Sequence, residues 1–444
     1  MSSTPHPALR IPGSNLLARA IGNSFRPLHG LIVAPSLLFL ATLALMLFHP
    51  PDFNFHSVDR VAFGLLIFVV MLRVCALQDS LQFRSLVTYP MLALVVLAFY
   101  GMVSQPNDAE TWSLFAAKWL VPFTLYHLAA YVFGDERSLL KFETFSLIVL
   151  AYLSLTAIFF MVDAKDLIFP RYILDESLGY HADRARGPFL QAVANGVTLN
   201  MLGLIALNAF RRKRLRGVPA LLFLVALPLA IVATKTRAVW LSFASSILVL
   251  LFFSPSLRLR RACLCFVIAG SIGLAAVFTF ADHNTSLGDR LEERGPVMFR
   301  MAVYQAGWEM FLKKPLTGWG AADMQTELSK RISDFHQDQF FFHNTYLEIL
   351  VQYGLVGLLL YLWVIFDLFR LGRQENQAGL RSDRDLLDPQ FRKLWPVLLG
   401  VYLLNASFVV MNYQFVNGFV FTVGGLLLAQ NRRLEAARSG LSGS

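Results

Sequence analysis

Runs of about 17–25 apolar residues recur along this chain, and that is the length of helix needed to cross the hydrocarbon layer of a bilayer. Few folds tolerate such a pattern. Inside the layer every backbone amide must be satisfied within its own segment, so repeated runs of this length imply a helical bundle. Composition agrees: of 444 residues, 56% are hydrophobic and only 15% charged, too few charges for a soluble domain to cover so much apolar surface. The runs place spans near 31–48, 58–73, 88–103, 113–133, 142–162, 190–210, 218–234, 237–253, 263–280, 345–366, 394–411 and 418–430. The expected fold is an all-α polytopic membrane protein of about 12 transmembrane helices. Residues 1–30 form an N-terminal tail, 31–430 a single transmembrane domain and 431–444 a C-terminal tail.

The net charge of +10 raises the question of nucleic acid, but the basic residues cluster in short loops between apolar runs. There they set topology and meet anionic headgroups, so a nucleic-acid partner is excluded and membrane lipids are expected. With both termini cytoplasmic, 24 of the 39 Lys and Arg fall inside, 14 outside, and Lys118 lies within a span. The short inner loops carry Arg211-Arg212-Lys213-Arg214-Leu215-Arg216 and Arg258-Leu259-Arg260-Arg261, whereas the short outer ones contribute only Arg60, Lys235 and Arg237. The first thirty residues, with Pro5, Pro7, Pro12, Arg10, Arg19 and Arg26, lack the apolar core of a signal peptide. Cys75, Cys263 and Cys265 lie in or beside spans and indicate no disulfide framework.

Two longer outer loops remain, 163–189 and 281–343, the second between spans nine and ten. In it Val297, Met301, Tyr304, Trp308, Phe311 and Leu312 fall on one helical face, which suits a helix lying in the membrane interface. Pro315 stops that helix, and Gly318-Trp319-Gly320 turns the chain into a more polar helix near 321–333.

The outer rim also gathers the candidate site. Phe342-His343-Asn344-Thr345 opens span ten, with Gly354 eleven residues beyond His343. At 100° per residue Gly354 returns to the same face, and Gly354 with Gly357 would admit a closely packed helix. Plainly read, His343 marks a helix start; its company gives it more weight. Lys235 and Arg237, the latter in an Arg237-x-x-x-Leu241 pattern, stand where both topology and the helix dipole disfavour cations unless an anion compensates. Arg184 and Arg186 precede span six, and Arg300 sits on the interfacial helix. Lys118 either snorkels or joins this patch. No strong metal motif appears: Asp52 and Asp59 are not a close pair, and Asp334-Phe335-His336-Gln337-Asp338 reads as a solvated turn.

At these residues the sequence resembles the O-antigen ligase and polymerase superfamily of bacterial membrane glycosyltransferases. The resemblance spans helices six to ten. It is carried by Arg237-x-x-x-Leu241, by His343-Asn344 with Gly354, and by the stretch from Arg300 through Trp308 to Pro315-Leu316-Thr317-Gly318-Trp319-Gly320. It implies a metal-independent, cofactor-free transferase in the bacterial inner membrane, its active site facing the periplasm. The implied donor is undecaprenyl-pyrophosphate-linked O-antigen and the implied acceptor lipid A–core. His343 would be general base; Arg186, Arg237 and Arg300, with Lys235 and Arg184, would bind pyrophosphate; Leu241, Asn344 and Gly354 would position them. The rivals are an O-antigen polymerase, a protein O-oligosaccharyltransferase and, from another class, a twelve-helix transporter of lipid-linked glycan. A transporter would place charges or helix breaks near mid-membrane. Here the candidates crowd one rim.

Overall fold

The structure is a computed structural model that describes residues 35–49, 57–77, 81–103, 109–179, 181–280, 295–332, 341–373 and 386–441. The expected N-terminal tail, Asp52, residues 281–294 of the long loop and Asp334–Asp338 lie outside the described residues. Among the described residues all regular structure is helical. The helices are α1 (Pro35–Leu47), α2 (Val58–Leu77), α3 (Thr88–Val103), α4 (Ala109–Phe115), α5 (Val121–Val132), α6 (Glu136–Met161), α7 (Ala192–Arg211) and α8 (Gly217–Ala233). They continue as α9 (Arg237–Phe253), α10 (Leu257–Phe280), α11 (Gly295–Lys313), α12 (Ala321–Arg331), α13 (Thr345–Arg373), α14 (Pro389–Ala406) and α15 (Gln414–Leu441).

Each expected span falls on a helix, with α4 and α5 sharing one through a π-helical turn at Ala116–Leu120. Among the described residues three helices, α6, α7 and α13, are long and apolar enough to cross a membrane; α1, α3, α8 and α9 are apolar but shorter. The last helix outruns its expected end because neither glycine nor proline interrupts it from Leu426 to Ser439.

The core is built on α7 and α15. Helix α7 is buried along almost its whole length, and its polar residues are met individually. Asn200 Nδ2 donates to Ser242 Oγ of α9 at 3.3 Å, and Asn208 Nδ2 donates to the Leu386 carbonyl at 2.8 Å. Apolar surroundings make such pairing obligatory, since an unpaired polar group there costs several kcal/mol. Helix α15 lies against α5 so closely that a Cβ on Gly425 would stand 2.3 Å from the Tyr126 carbonyl oxygen.

A second, separate apolar cluster joins α11, α12 and the start of α13 through Val303, Met310, Met324, Leu328, Phe342 and Val351. The face of α11 expected to be apolar is thus only half the account. Met301, Trp308 and Leu312 are exposed, while Val303, Ala306 and Met310 on another face make the internal contacts. A helix packed on protein on one side and left apolar on the other suits a position at the membrane boundary.

The α5–α15 contact is testable. Gly425→Ala is expected to lower stability by about 1–3 kcal/mol through overpacking, read as a lower melting temperature in detergent. Gly400→Ala, at a helical position with nothing within 4 Å of the added Cβ, is expected to be neutral or slightly stabilising.

Candidate functional site

Helix α13 is two helices laid end to end. At Gly354 the backbone leaves helical geometry, with φ +66° and ψ −165°. The groups released by the break are taken by residues 315–320. The amides of Trp319 and Gly320 donate to the carbonyls of Val351 and Gln352 at 3.0 and 2.9 Å. In the other direction the amides of Leu355 and Val356 donate to the carbonyls of Pro315 and Leu316 at 2.8 and 3.5 Å. Two backbones meet here without side chains between them. A Cβ on Gly354 would lie 2.2 Å from the Leu316 oxygen, and one on Gly318 would lie 2.4 Å from the Gln352 oxygen. Gly354 therefore does not continue a helical face towards a packed neighbour, as its spacing suggested; it breaks the helix and receives a loop. Gly357 faces its own chain, its Cβ position falling 2.2 Å from Tyr353 Cβ.

The clamp fixes the piece of α13 that follows His343. Phe342 is buried in the α11–α12 cluster. Asn344 Oδ1 caps the helix, accepting the amides of Tyr346 and Leu347 at 2.9 and 3.0 Å. Thr345 Oγ1 donates to the Val409 carbonyl at 2.8 Å and accepts the Met411 amide at 3.0 Å, tying this end to the link between α14 and α15. Between them His343 adopts a left-handed backbone, φ +49°, which for a residue other than glycine costs about 1 kcal/mol or more and is typical of functional positions. Its carbonyl accepts from the Tyr304 hydroxyl at 3.5 Å. Burial first, and then the charges of Arg300 and His181, push the imidazole down to about 4. The ring is therefore neutral at physiological pH, with its proton-accepting nitrogen available.

His181 was not among the residues expected from sequence. It lies on a loop without periodicity, and its one sequence signal is proximity to Arg184. That loop reaches the other cations. The Ala185 amide donates to the carbonyl of Ala233, the last residue of α8, at 3.1 Å, and Asn195 Nδ2 of α7 donates to the Ala185 carbonyl at 2.8 Å. Lys235 lies two residues beyond Ala233, with φ +45°, and Arg237 is the exposed first residue of α9. Thr236 does not cap α9; its hydroxyl donates to the Thr234 carbonyl at 2.8 Å. The positive end of that helix thus adds to the cations at the turn. One loop therefore links the Lys235–Arg237 turn, beside Ala185, to the surroundings of His343 and Arg300, beside His181.

Two expected roles need correction. Arg186 is buried: its Nε donates to the Ile173 carbonyl at 2.9 Å, and its Nη1 and Nη2 donate to the carbonyls of Leu178 and Asp175. With its fork turned into its own loop, Arg186 braces the loop that presents Arg184 and His181 rather than facing a phosphate. Leu241 is 49% exposed. The packing expected of it falls to Val239, fully buried where α9 meets Gly196 of α7.

Lys118 also leaves the rim. On the π-helical turn it meets Glu348 of α13, Nζ to Oε1 2.7 Å, with both side chains largely buried. Asn417 Nδ2 donates to the Ala117 carbonyl at 3.1 Å, and the Tyr402 hydroxyl donates to Asn417 Oδ1 at 2.9 Å. Lys118, Glu348, Gln352 and Asn417 border a cavity of about 20 Å³, room for about one water. The ion pair thus secures the short helical piece between His343 and the break.

Residues 220–362 match the family model described as O-antigen ligase. That family consists of membrane glycosyltransferase-like enzymes. No curated protein matches the chain. The matched segment holds Lys235, Arg237, Arg300, His343 and both clamp glycines, and stops short of Lys118, His181 and Arg184.

Glu348→Ala strands a buried ammonium and is expected to cost about 3 kcal/mol, seen as a lower melting temperature in detergent. Combining it with Lys118→Met is expected to recover most of that loss, because the double variant leaves no buried charge. Additive losses would show that the two residues act independently.

Proposed function

We propose that this chain is an O-antigen ligase, transferring O-antigen from undecaprenyl pyrophosphate to a sugar hydroxyl of lipid A–core. The carrying observation is the neutral His343 beside Arg300 and His181, joined through one loop to the Lys235–Arg237 turn. In this reading the chain crosses the bacterial inner membrane twelve times with both termini cytoplasmic, and the rim opens to the periplasm. The Lys- and Arg-rich short stretches at 211–216 and 258–261, on the side assigned to the cytoplasm, support that orientation.

The chemistry follows from the residues. His343 takes the proton of the acceptor hydroxyl as that oxygen bonds to the anomeric carbon of the donor sugar. The bond from the anomeric carbon to the diphosphate oxygen breaks, and the departing diphosphate carries the bonding electrons. Arg237 and Arg300, with Lys235 and Arg184, hold that charge; a guanidinium can engage two phosphate oxygens at once and stays ionised. Each such donor is worth a few kcal/mol in the transition state. No metal is required in this scheme. Arg186 acts through the loop.

The low His343 value has a further use here. A base at about 4 is weak, but it is depressed partly by Arg300. A diphosphate laid against Arg300 cancels that charge, so donor binding raises the proton affinity of His343 when a base is needed.

Deleting the gene and inspecting the lipopolysaccharide ladder tests the function. Loss of the ladder with accumulation of lipid-linked polymer is expected, whereas core bearing one repeat would mean a polymerase. His343→Ala is expected to lower the rate by orders of magnitude without loss of fold; near-normal transfer would remove His343 from the mechanism. The acid limb of kcat/KM, which reports the free protein, is expected near pH 4, with rate falling as His343 is protonated below it. The limb of kcat is expected at higher pH. Arg300→Gln should raise the kcat/KM limb, though not to the ordinary histidine value, because burial remains. Coincident limbs in the unaltered protein would overturn the coupling.

A further inference from the structure

The basic loop between α7 and α8 and the basic first turn of α10, at the opposite ends of these helices, take no part in the rim. Helix α8 separates them from it by its 17 residues, about 25 Å at the helical rise. Their cations divide into two sets. Arg211 pairs with Asp388, and Arg212 and Arg214 pair with Glu143. Lys213, Arg216, Arg258 and Arg261 have no carboxylate partner among the described residues. These four line one open hollow of about 430 Å³, floored by Phe210, Leu215 and Ala220. A second hollow of about 400 Å³ lies beside it and shares Lys213 and Arg216, with Arg212 and Arg214 completing its wall.

Topology alone explains why cations accumulate at this end. It does not explain why paired arginines stand beside four cations that have no carboxylate partner among the described residues, gathered round one concavity with an apolar floor. Such a concavity is suited to a ligand with concentrated negative charge and attached hydrocarbon. The helices leaving it continue the match. Val218, Leu221 and Leu222 on α8 and Leu264 and Ile268 on α10 are each more than half exposed, providing apolar tracks for acyl chains beyond the cations.

We propose that the paired hollows bind one diphosphatidyl phospholipid of the cardiolipin class. One phosphate sits among Lys213, Arg216, Arg258 and Arg261, and the other sits in the adjoining hollow across the shared Lys213 and Arg216. Two phosphates joined by a short linker fit two hollows with common walls, whereas a single-phosphate lipid fills one. Four acyl chains run along α8 and α10. With the orientation proposed above, the site lies in the cytoplasmic leaflet, a basic pocket between helix ends of the kind that selects such headgroups. The binding itself depends on neither that orientation nor the transfer reaction.

The full chain, reconstituted in nanodiscs of phosphatidylethanolamine, phosphatidylglycerol and cardiolipin and then released for native mass spectrometry, is expected to retain one cardiolipin in preference to phosphatidylglycerol. The Arg216→Gln/Arg258→Gln/Arg261→Gln variant is expected to retain it at least about tenfold less. Its helical circular dichroism should match the unaltered protein. Arg260→Gln, on the same turn of α10 but outside the hollow, is expected to retain it normally. Equal retention by the triple variant, or equal loss in Arg260→Gln, would overturn the site. Displacement of cardiolipin by millimolar inorganic phosphate would show an anion site indifferent to lipid, and that too would overturn the proposal.

Discussion

The break in α13 is the constraint on which the rim depends. In apolar surroundings a helix cannot simply be interrupted, because each freed amide or carbonyl costs several kcal/mol unless a partner is supplied. Residues 315–320 supply those partners for Val351, Gln352, Leu355 and Val356. The loop after α11 and the middle of α13 therefore exist as one unit. Fastened to that unit are α11, which carries Arg300, and the helical piece that His343 opens. The distance between base and arginine is thus set by backbone hydrogen bonds, which deform less readily than side-chain contacts.

The other half of the rim is held by a different device. The 181–186 loop has little regular structure, and an arginine turned inward takes the place of a core: Arg186 gathers three carbonyls of its own loop. The Ala185 backbone then fastens that loop to α7 and α8. A buried guanidinium is costly unless fully hydrogen-bonded, and this one is engaged at all three nitrogens. His181, Lys235 and His343 all lie in the left-handed region, as do Asp163, Leu190 and Lys213, so strained backbone is not confined to the rim.

Much of this was legible in the sequence, and the failures have physical causes. Apolar period and length located the helices because bilayer thickness and backbone satisfaction leave few alternatives. Pro315 and Gly318 marked the end of α11 and its turn because proline fixes φ and lacks an amide hydrogen, whereas glycine admits the positive φ that the turn needs. Gly354 was misread because a glycine among apolar residues looks the same whether it admits a helix or breaks one; only the partner loop distinguishes them. Arg184 and Arg186 look equivalent two residues apart, yet the first is only half-buried and the second is fully buried. No pattern in sequence announces which way an arginine turns in an irregular loop. The Lys118–Glu348 pair spans 230 positions, and a separation of that size leaves no periodic trace. The division of the inner-loop cations into paired and unpaired sets was likewise invisible, because their partners, Glu143 and Asp388, come from distant helices.

The spacing from His343 to Gly354 also acts as a ruler. The break pins one end and the Asn344 cap pins the other, so the number of residues between them fixes the direction in which the imidazole points. One inserted residue would turn His343 by about 100° and move it about 1.5 Å along the axis. Substitution is constrained as tightly as length. Gly318 and Gly354 each face backbone atoms, so no smaller neighbouring side chain can make room for a Cβ at either position. A lineage that keeps this clamp can vary the residues along the ruler, but it must keep the two glycines together and the count from the histidine to Gly354 unchanged.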